Sequence, residues 1–132
     1  FKVRIAQPGD IPEPGVVHVP PADRHLAIED GKLVLDDSPP LCSQKPSGSV
    51  LLSSIARSMG RRAIGVVLTG MGSDGAEGLA DLHQAGGHTI AEHESTCVVY
   101  GMPAAAAKLG AVKEMLPLPD IAPRLIQLAG GK

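Results

Sequence analysis

One segment concentrates the residues of this chain that can do chemistry. A β-branched apolar run, Ala63-Ile64-Gly65-Val66-Val67-Leu68, meets a glycine-rich loop, Thr69-Gly70-Met71-Gly72-Ser73-Asp74-Gly75, and a helix-forming stretch follows at once. The loop holds a single carboxylate, Asp74. A carboxylate just before a helix caps it by accepting from the first helical N–H groups. Held by such donors, it also suits the residue that orients a catalytic imidazole. Gly70, Gly72 and Gly75 let the backbone turn sharply and approach another group closely. In open α/β sheets, sites lie beyond the carboxyl ends of the strands, which is where this loop falls. A second pattern overlaps it. Gly70-Met71-Gly72-Ser73-Asp74-Gly75 reads G-x-G-x-x-G, with Glu92 near the end of the next apolar run, as in a dinucleotide-binding unit. Asp74 argues against that alternative, because it would compete for the N–H groups a pyrophosphate needs and would repel the phosphates.

Other candidates are scattered. Ser73 adjoins Asp74, but no base adjoins Ser73. His18 alternates with Val17 and Val19 and is expected to point away from the core. His83 is expected on the surface of a helix, His88 at the start of a strand, and His93, between Glu92 and Glu94, in a solvated loop. His25 is expected to be structural. No second well-spaced pair of ligands accompanies them, so neither a metal nor a cofactor is expected. The two cysteines, Cys42 and Cys97, are too few for a disulfide scaffold. Cys97, before Val98-Val99, is expected to be a small core residue.

Composition excludes several functions. With a net charge of −2 and Lys and Arg dispersed, no nucleic acid or anionic membrane is recruited by bulk charge. Aromatics at 2% leave no platform for base stacking. No apolar run approaches the ~18 residues of a membrane span, and a reducing, cytoplasmic setting is expected. Hydrophobic residues at 43% predict a core of Val, Ile, Leu, Ala and Met.

The elements that must position the loop fall in two textures. Residues 1–48 read as strands and a hairpin: strands at 2–5 and 16–19, then apolar runs flanking Glu29-Asp30-Gly31-Lys32, where Asp-Gly signals a tight turn. Pro39, Pro40 and Pro46 mark an extended loop. Residues 49–132 alternate. Val50, Leu51, Leu52, Ile55, Ala56 and Met59 have helical spacing and end at Gly60, with Arg61-Arg62 in a turn. The run 63–68 reads as a buried parallel strand, 76–85 as a helix, 88–91 as a strand, 103–109 as a helix opened by Pro103, and 112–116 as a strand. A last helix over 121–128 is expected to be capped by Asp120. The alternation predicts a doubly wound, mostly parallel α/β sheet with helices on both faces, plus the hairpin. Opening on Phe1 inside a strand-like run, the chain reads as cut from a longer polypeptide.

The loop and three further stretches carry a resemblance. Val66-Val67-Leu68-Thr69-Gly70-Met71-Gly72-Ser73-Asp74-Gly75-Ala76-Glu77-Gly78 strongly resembles the catalytic domain of CheB-type protein-glutamate methylesterases of bacterial chemotaxis. So do Gln84-Ala85-Gly86-Gly87-His88-Thr89-Ile90-Ala91, Ser95-Thr96-Cys97-Val98-Val99-Tyr100-Gly101-Met102-Pro103 and Leu109-Gly110-Ala111-Val112. Pro20-Pro21-Ala22-Asp23-Arg24-His25-Leu26 is similar to the family's "APGDKHM" stretch. The resemblance covers 1–132 almost end to end, as the C-terminal portion of the catalytic domain. It implies a serine hydrolase that demethylates glutamate methyl esters, and deamidates glutamines, on the cytoplasmic regions of chemoreceptors. It assigns the catalytic aspartate to Asp74 and the substrate and oxyanion loop to Thr69, Gly70, Met71, Gly72 and Gly75, with the Met71 backbone near the reacting carbonyl. The family's nucleophilic Gly-x-Ser-Thr-Gly-Gly stretch and its Gln-His-Met-Pro-like stretch do not occur here. Both are expected upstream, as is the receiver domain that regulates many members. Alone, the chain is expected to be inactive, and loss of the first strands to leave an apolar edge and face exposed. A non-catalytic binding or assembly module of the same fold is the alternative.

Overall fold

The computed structural model describes residues 1–130. Strands β1 (Lys2–Ile5) and β2 (Val16–Val19) pair in parallel, with Val3 opposite Val17 and Ile5 opposite Val19. Those four apolar side chains are all exposed, and they share one face of the ribbon. His18 departs from expectation. It lies half-buried with Val16, and both of its ring nitrogens are enclosed without a partner among the described residues. Alternation along a strand sets His18 opposite to its valine neighbours but does not say which face is covered.

The next two strands, β3 (His25–Glu29) and β4 (Lys32–Asp36), form the expected antiparallel hairpin. Asp30 and Gly31 both take positive φ, 51° and 77°, as a two-residue turn of the primed type requires. Leu26 and Leu33 bury with Ala6 in a small core that Leu35 and Leu51 complete. Helix α1 (Gly48–Ser58) lies against β3 and satisfies its outer edge: Ser54 Oγ accepts from the Ile28 N–H, and Ser58 Oγ donates to the Ile28 carbonyl. A single 3₁₀ turn, Gly60–Arg62, holds both arginines exposed, as expected.

Strands β5 (Ile64–Val67), β6 (His88–Glu92) and β7 (Glu114–Leu116) form a parallel sheet in that order. Helices α2 (Ala76–Gln84) and α3 (Met102–Lys108) make the two crossovers and contribute to one core, where Leu79, Ala76 and Ala106 meet Val67 and Ala91. Helix α4 (Leu118–Gly130) serves the opposite face, where Arg124 Nε donates to Glu114 at 2.9 Å and Glu114 in turn pairs with His88. Helices thus flank both faces, as the alternation predicts. Several details differ, among them β7, which spans Glu114–Leu116 rather than 112–116. Strand β5 is an edge strand among the described residues, and Leu68 lies exposed beyond it, so the apolar run 63–68 is only partly buried. Helix α4 starts at Leu118, with Asp120 inside its first turn rather than capping it. The fixed φ of Pro119 suits a first turn and draws the start forward.

Two glycines set the spacing of the layers. A Cβ at Gly65 would stand 2.7 and 2.8 Å from methyl carbons of Leu82 and Leu79, so a side chain there would force both buried leucines of α2 to shift. A Cβ at Gly78 would lie 2.7 Å from Ser49 Cα and 2.8 Å from its carbonyl oxygen, where α1 and α2 cross. Gly78→Ala is therefore expected to force the helices apart. It should lower stability by about 1–3 kcal/mol, read as a lower urea midpoint at unchanged slope.

Glu114 gives a second expectation. The hydrogen bond from Arg124, and then that from His88, hold its carboxyl below the ordinary value of 4.5, against burial, which acts the other way. A depressed carboxylate contributes stability above its unfolded value and loses it as pH falls through the folded value. Stability should therefore drop as pH falls below about 4.5, and Glu114→Gln should flatten that part of the curve in denaturation measured across acid pH.

Candidate active site at the carboxyl end of β5

Asp74 is 8% exposed, and its partners are not those of its own helix. Helix α2 begins after Gly75, which takes φ +96° and supplies no side-chain cap. The Asp74 carboxylate reaches across to the N-terminus of α1. The Gly48 N–H donates to Oδ2 at 2.7 Å, Ser47 Oγ donates to Oδ1 at 2.6 Å, and the Ser49 N–H lies 3.4 Å from Oδ1. Ser47 is itself the N-cap of α1, its hydroxyl accepting from the Val50 N–H at 3.3 Å. The capping expected of Asp74 thus occurs, but on a different helix. The reason is that α1 and α2 meet N-terminus to N-terminus, close enough to exchange caps. Ser49 Oγ completes the exchange by accepting from the N–H groups of Gly75 and Gly78 at 2.8 and 3.2 Å.

That exchange argues against the dinucleotide alternative. The Gly75 and Gly78 N–H groups are already held by Ser49 Oγ, leaving them no hydrogen for a pyrophosphate. Glu92 is no ribose ligand. It is buried at the end of β6, where its Oε1 accepts from the Thr69 N–H at 2.8 Å.

The loop itself is stitched to a distant stretch. Thr69 Oγ1 donates to the Val99 carbonyl and accepts from the Val99 N–H at 2.8 Å. The Gly70 N–H donates to the Val99 carbonyl, and the Met102 N–H donates to the Gly70 carbonyl. A Cβ at Gly101 would sit 2.5 Å from the Gly70 carbonyl oxygen, so this close approach requires glycine. The spacing of Val99, Gly101 and Met102 is what joins the two halves of the site.

A cleft of about 350 Å³ opens beside the free edge of β5, with Gly48, Leu51, Val66, Leu68, Thr69, Asp74 and Gly75 among its lining residues. Of the expected site residues, Asp74, Thr69 and Gly75 reach it. Gly70, Met71 and Gly72 form the outer bend and do not line it, and Met71 is 80% exposed. Among the described residues, no three His, Cys, Asp or Glu side chains gather as a metal site.

Against known families, the CheB methylesterase model matches residues 1–125. The chain belongs to the CheB methylesterase family. A protein-glutamate methylesterase/protein-glutamine glutaminase of Paramagnetospirillum magneticum is 58% identical over 99% of this chain, and one of Anaeromyxobacter dehalogenans is 47% identical over 96%. The chain spans 37% of the length of each. The crystal structure of the Thermotoga maritima CheB methylesterase catalytic domain superposes with a TM-score of 0.88 at 36% identity, covering 95% of this chain and 68% of that one. The α/β fold read from the sequence is thus the CheB fold.

Sequence reading missed Ser47, Ser49 and the link from His25. A signal was present: Ser47 stands three residues before Val50, where the periodic apolar run of α1 begins, and a serine just ahead of such a run is an ordinary N-cap. His25 is fully buried between its own hairpin and α1. His93 is exposed as expected, accepting from the Ser95 N–H. His83 is half-buried rather than on the surface, with Nδ1 3.3 Å from Thr89 Oγ1. Burial, reinforced by the charges of Glu92 and Glu94, pushes the Cys97 thiol up from its ordinary value, whereas Cys42 is exposed. A thiol reagent near neutral pH is expected to modify Cys42 well before Cys97, as peptide mass mapping over time would show.

Proposed function

We propose that this chain contributes the aspartate of a protein-glutamate methylesterase active site, within a longer polypeptide that carries the nucleophilic serine and the catalytic histidine. The observation that carries the reading is Asp74: a nearly buried carboxylate, fixed by the N-terminus of α1, at the wall of a cleft beyond the carboxyl end of β5. The relatives' names, protein-glutamate methylesterase/protein-glutamine glutaminase, support the substrate class.

In this mechanism the serine hydroxyl attacks the carbonyl of a glutamate methyl ester on a chemoreceptor's cytoplasmic region. The histidine takes the serine proton and hands it to methanol as the acyl-enzyme forms. Water then cleaves the acyl-enzyme by the same base, releasing glutamate. Asp74 accepts from the imidazole and holds it in the useful tautomer. Its present donors leave carboxylate acceptor capacity toward the cleft, since two oxygens offer about four lone-pair sites. The family resemblance assigns the Met71 backbone to the neighbourhood of the reacting carbonyl, although among the described residues the bend at Gly70, Met71 and Gly72 does not line the cleft. The chemistry proceeds through serine and histidine and calls on no metal or cofactor. The same acyl transfer from a glutamine side chain releases ammonia instead of methanol. A receiver domain upstream is the proposed regulatory partner, and the cytoplasm the proposed setting.

Asp74→Asn in the full-length polypeptide is expected to leave the fold intact and to lower kcat by about 10⁴, as loss of the orienting carboxylate does in serine proteases. Methanol release from methylated receptor would measure it. A near-wild-type rate would reject the assignment.

A further inference from the structure

The carboxylate assigned to orient the histidine is itself held by a chain of buried groups. His25 is fully buried and Ser47 nearly so. The Ser47 N–H donates to His25 Nδ1 at 3.1 Å. A backbone N–H only donates, so Nδ1 accepts and the ring proton lies on Nε2, which faces the Pro39 carbonyl oxygen at 3.0 Å. Ser47 Oγ then donates to Asp74 Oδ1 at 2.6 Å while accepting from the Val50 N–H. The route runs from the loop after β4, through β3, to the start of α1 and so to Asp74. Nothing in it touches a reacting atom.

We propose that Ser47 is a positioning residue for Asp74, and that His25 in turn holds Ser47 in place. The inference rests on the reading of Asp74 given above. Its basis is the direction of the bonds. A cap needs only an oxygen that accepts from the Val50 N–H, which many N-cap residues supply. Here the same hydroxyl spends its one proton on the carboxylate and fixes the rotation of Asp74 about its side-chain bonds. The Gly48 N–H fixes the other oxygen, so the carboxylate plane is set from two sides. Removing the Ser47 hydroxyl frees one of them.

The test is a double-mutant cycle in the full-length polypeptide, with methyl-ester hydrolysis and thermal midpoints measured on each variant. Ser47→Ala is expected to lower kcat roughly 10- to 100-fold, the range for a hydrogen bond to a charged group. KM should stay within about twofold, and Ser47→Thr, which keeps the hydroxyl, should recover most of kcat. In an Asp74→Ala background, Ser47→Ala should cost nothing further. An unchanged kcat, or the same loss in both backgrounds, would overturn the proposal and leave only a helix cap. If Asp74→Ala itself retains the wild-type rate, the reading of Asp74 fails instead, which separates the two. Should Ser47→Ala not fold, His25→Asn and His25→Gln decide. Asn keeps an acceptor near the Ser47 N–H, whereas Gln keeps a donor toward Pro39. A higher kcat in the Asn variant supports the proposal, and equal values count against it.

Discussion

The molecule turns on an exchange of caps between two helix N-termini. Each helix leaves its first N–H groups without partners inside the helix. In this fold α1 and α2 bring those ends together, and each is satisfied by a side chain from the other's segment. Asp74, from the loop before α2, accepts from α1. Ser49, from the first turn of α1, accepts from Gly75 and Gly78. The close crossing that permits this exists because Gly78 has no side chain to hold the helices apart. Packing, hydrogen-bond satisfaction and the placement of the acidic group are thus one arrangement.

Rigidity in the glycine-rich loop follows from its attachments at both ends. Glycine is the most permissive residue, and a loop with this many would wander if left free. Thr69 is pinned to Glu92 and Val99, Gly70 to Val99 and Met102, and Asp74 to α1. Glycine here serves close approach, as the contact of Gly101 with Gly70 shows. The bend through Gly70, Met71, Gly72 and Ser73 lies outside the cleft lining.

The free edge of β5 and the apolar ribbon of β1 and β2 are two of the places where the described residues leave apolar surface exposed. Val3, Ile5, Val17 and Val19 form a continuous apolar face on a two-stranded ribbon, which such a ribbon does not sustain alone in water. The cleft beside Asp74 opens at the unpaired edge of β5. Among the described residues that edge has no partner strand, and Asp74 is part of the lining of the cleft beside it.

Much of this was legible in the residues themselves. Asp30-Gly31 specified its hairpin because only certain residues accept positive φ at both central positions. Pro103 and Gly110 bounded α3, and the run from Ile64 into the glycine loop marked the strand whose end carries Asp74. These are local rules, in which each residue's own backbone preference decides the outcome. What the sequence could not determine was the partner of Asp74. From neighbours alone, a carboxylate before a helix caps that helix. It was packing across 25 to 27 residues of chain that turned it to α1, and that enclosed His25 and Ser47 behind it. Which face of β2 is covered and how far β5 is buried were settled the same way, because side-chain alternation is local whereas burial depends on what the rest of the chain brings alongside.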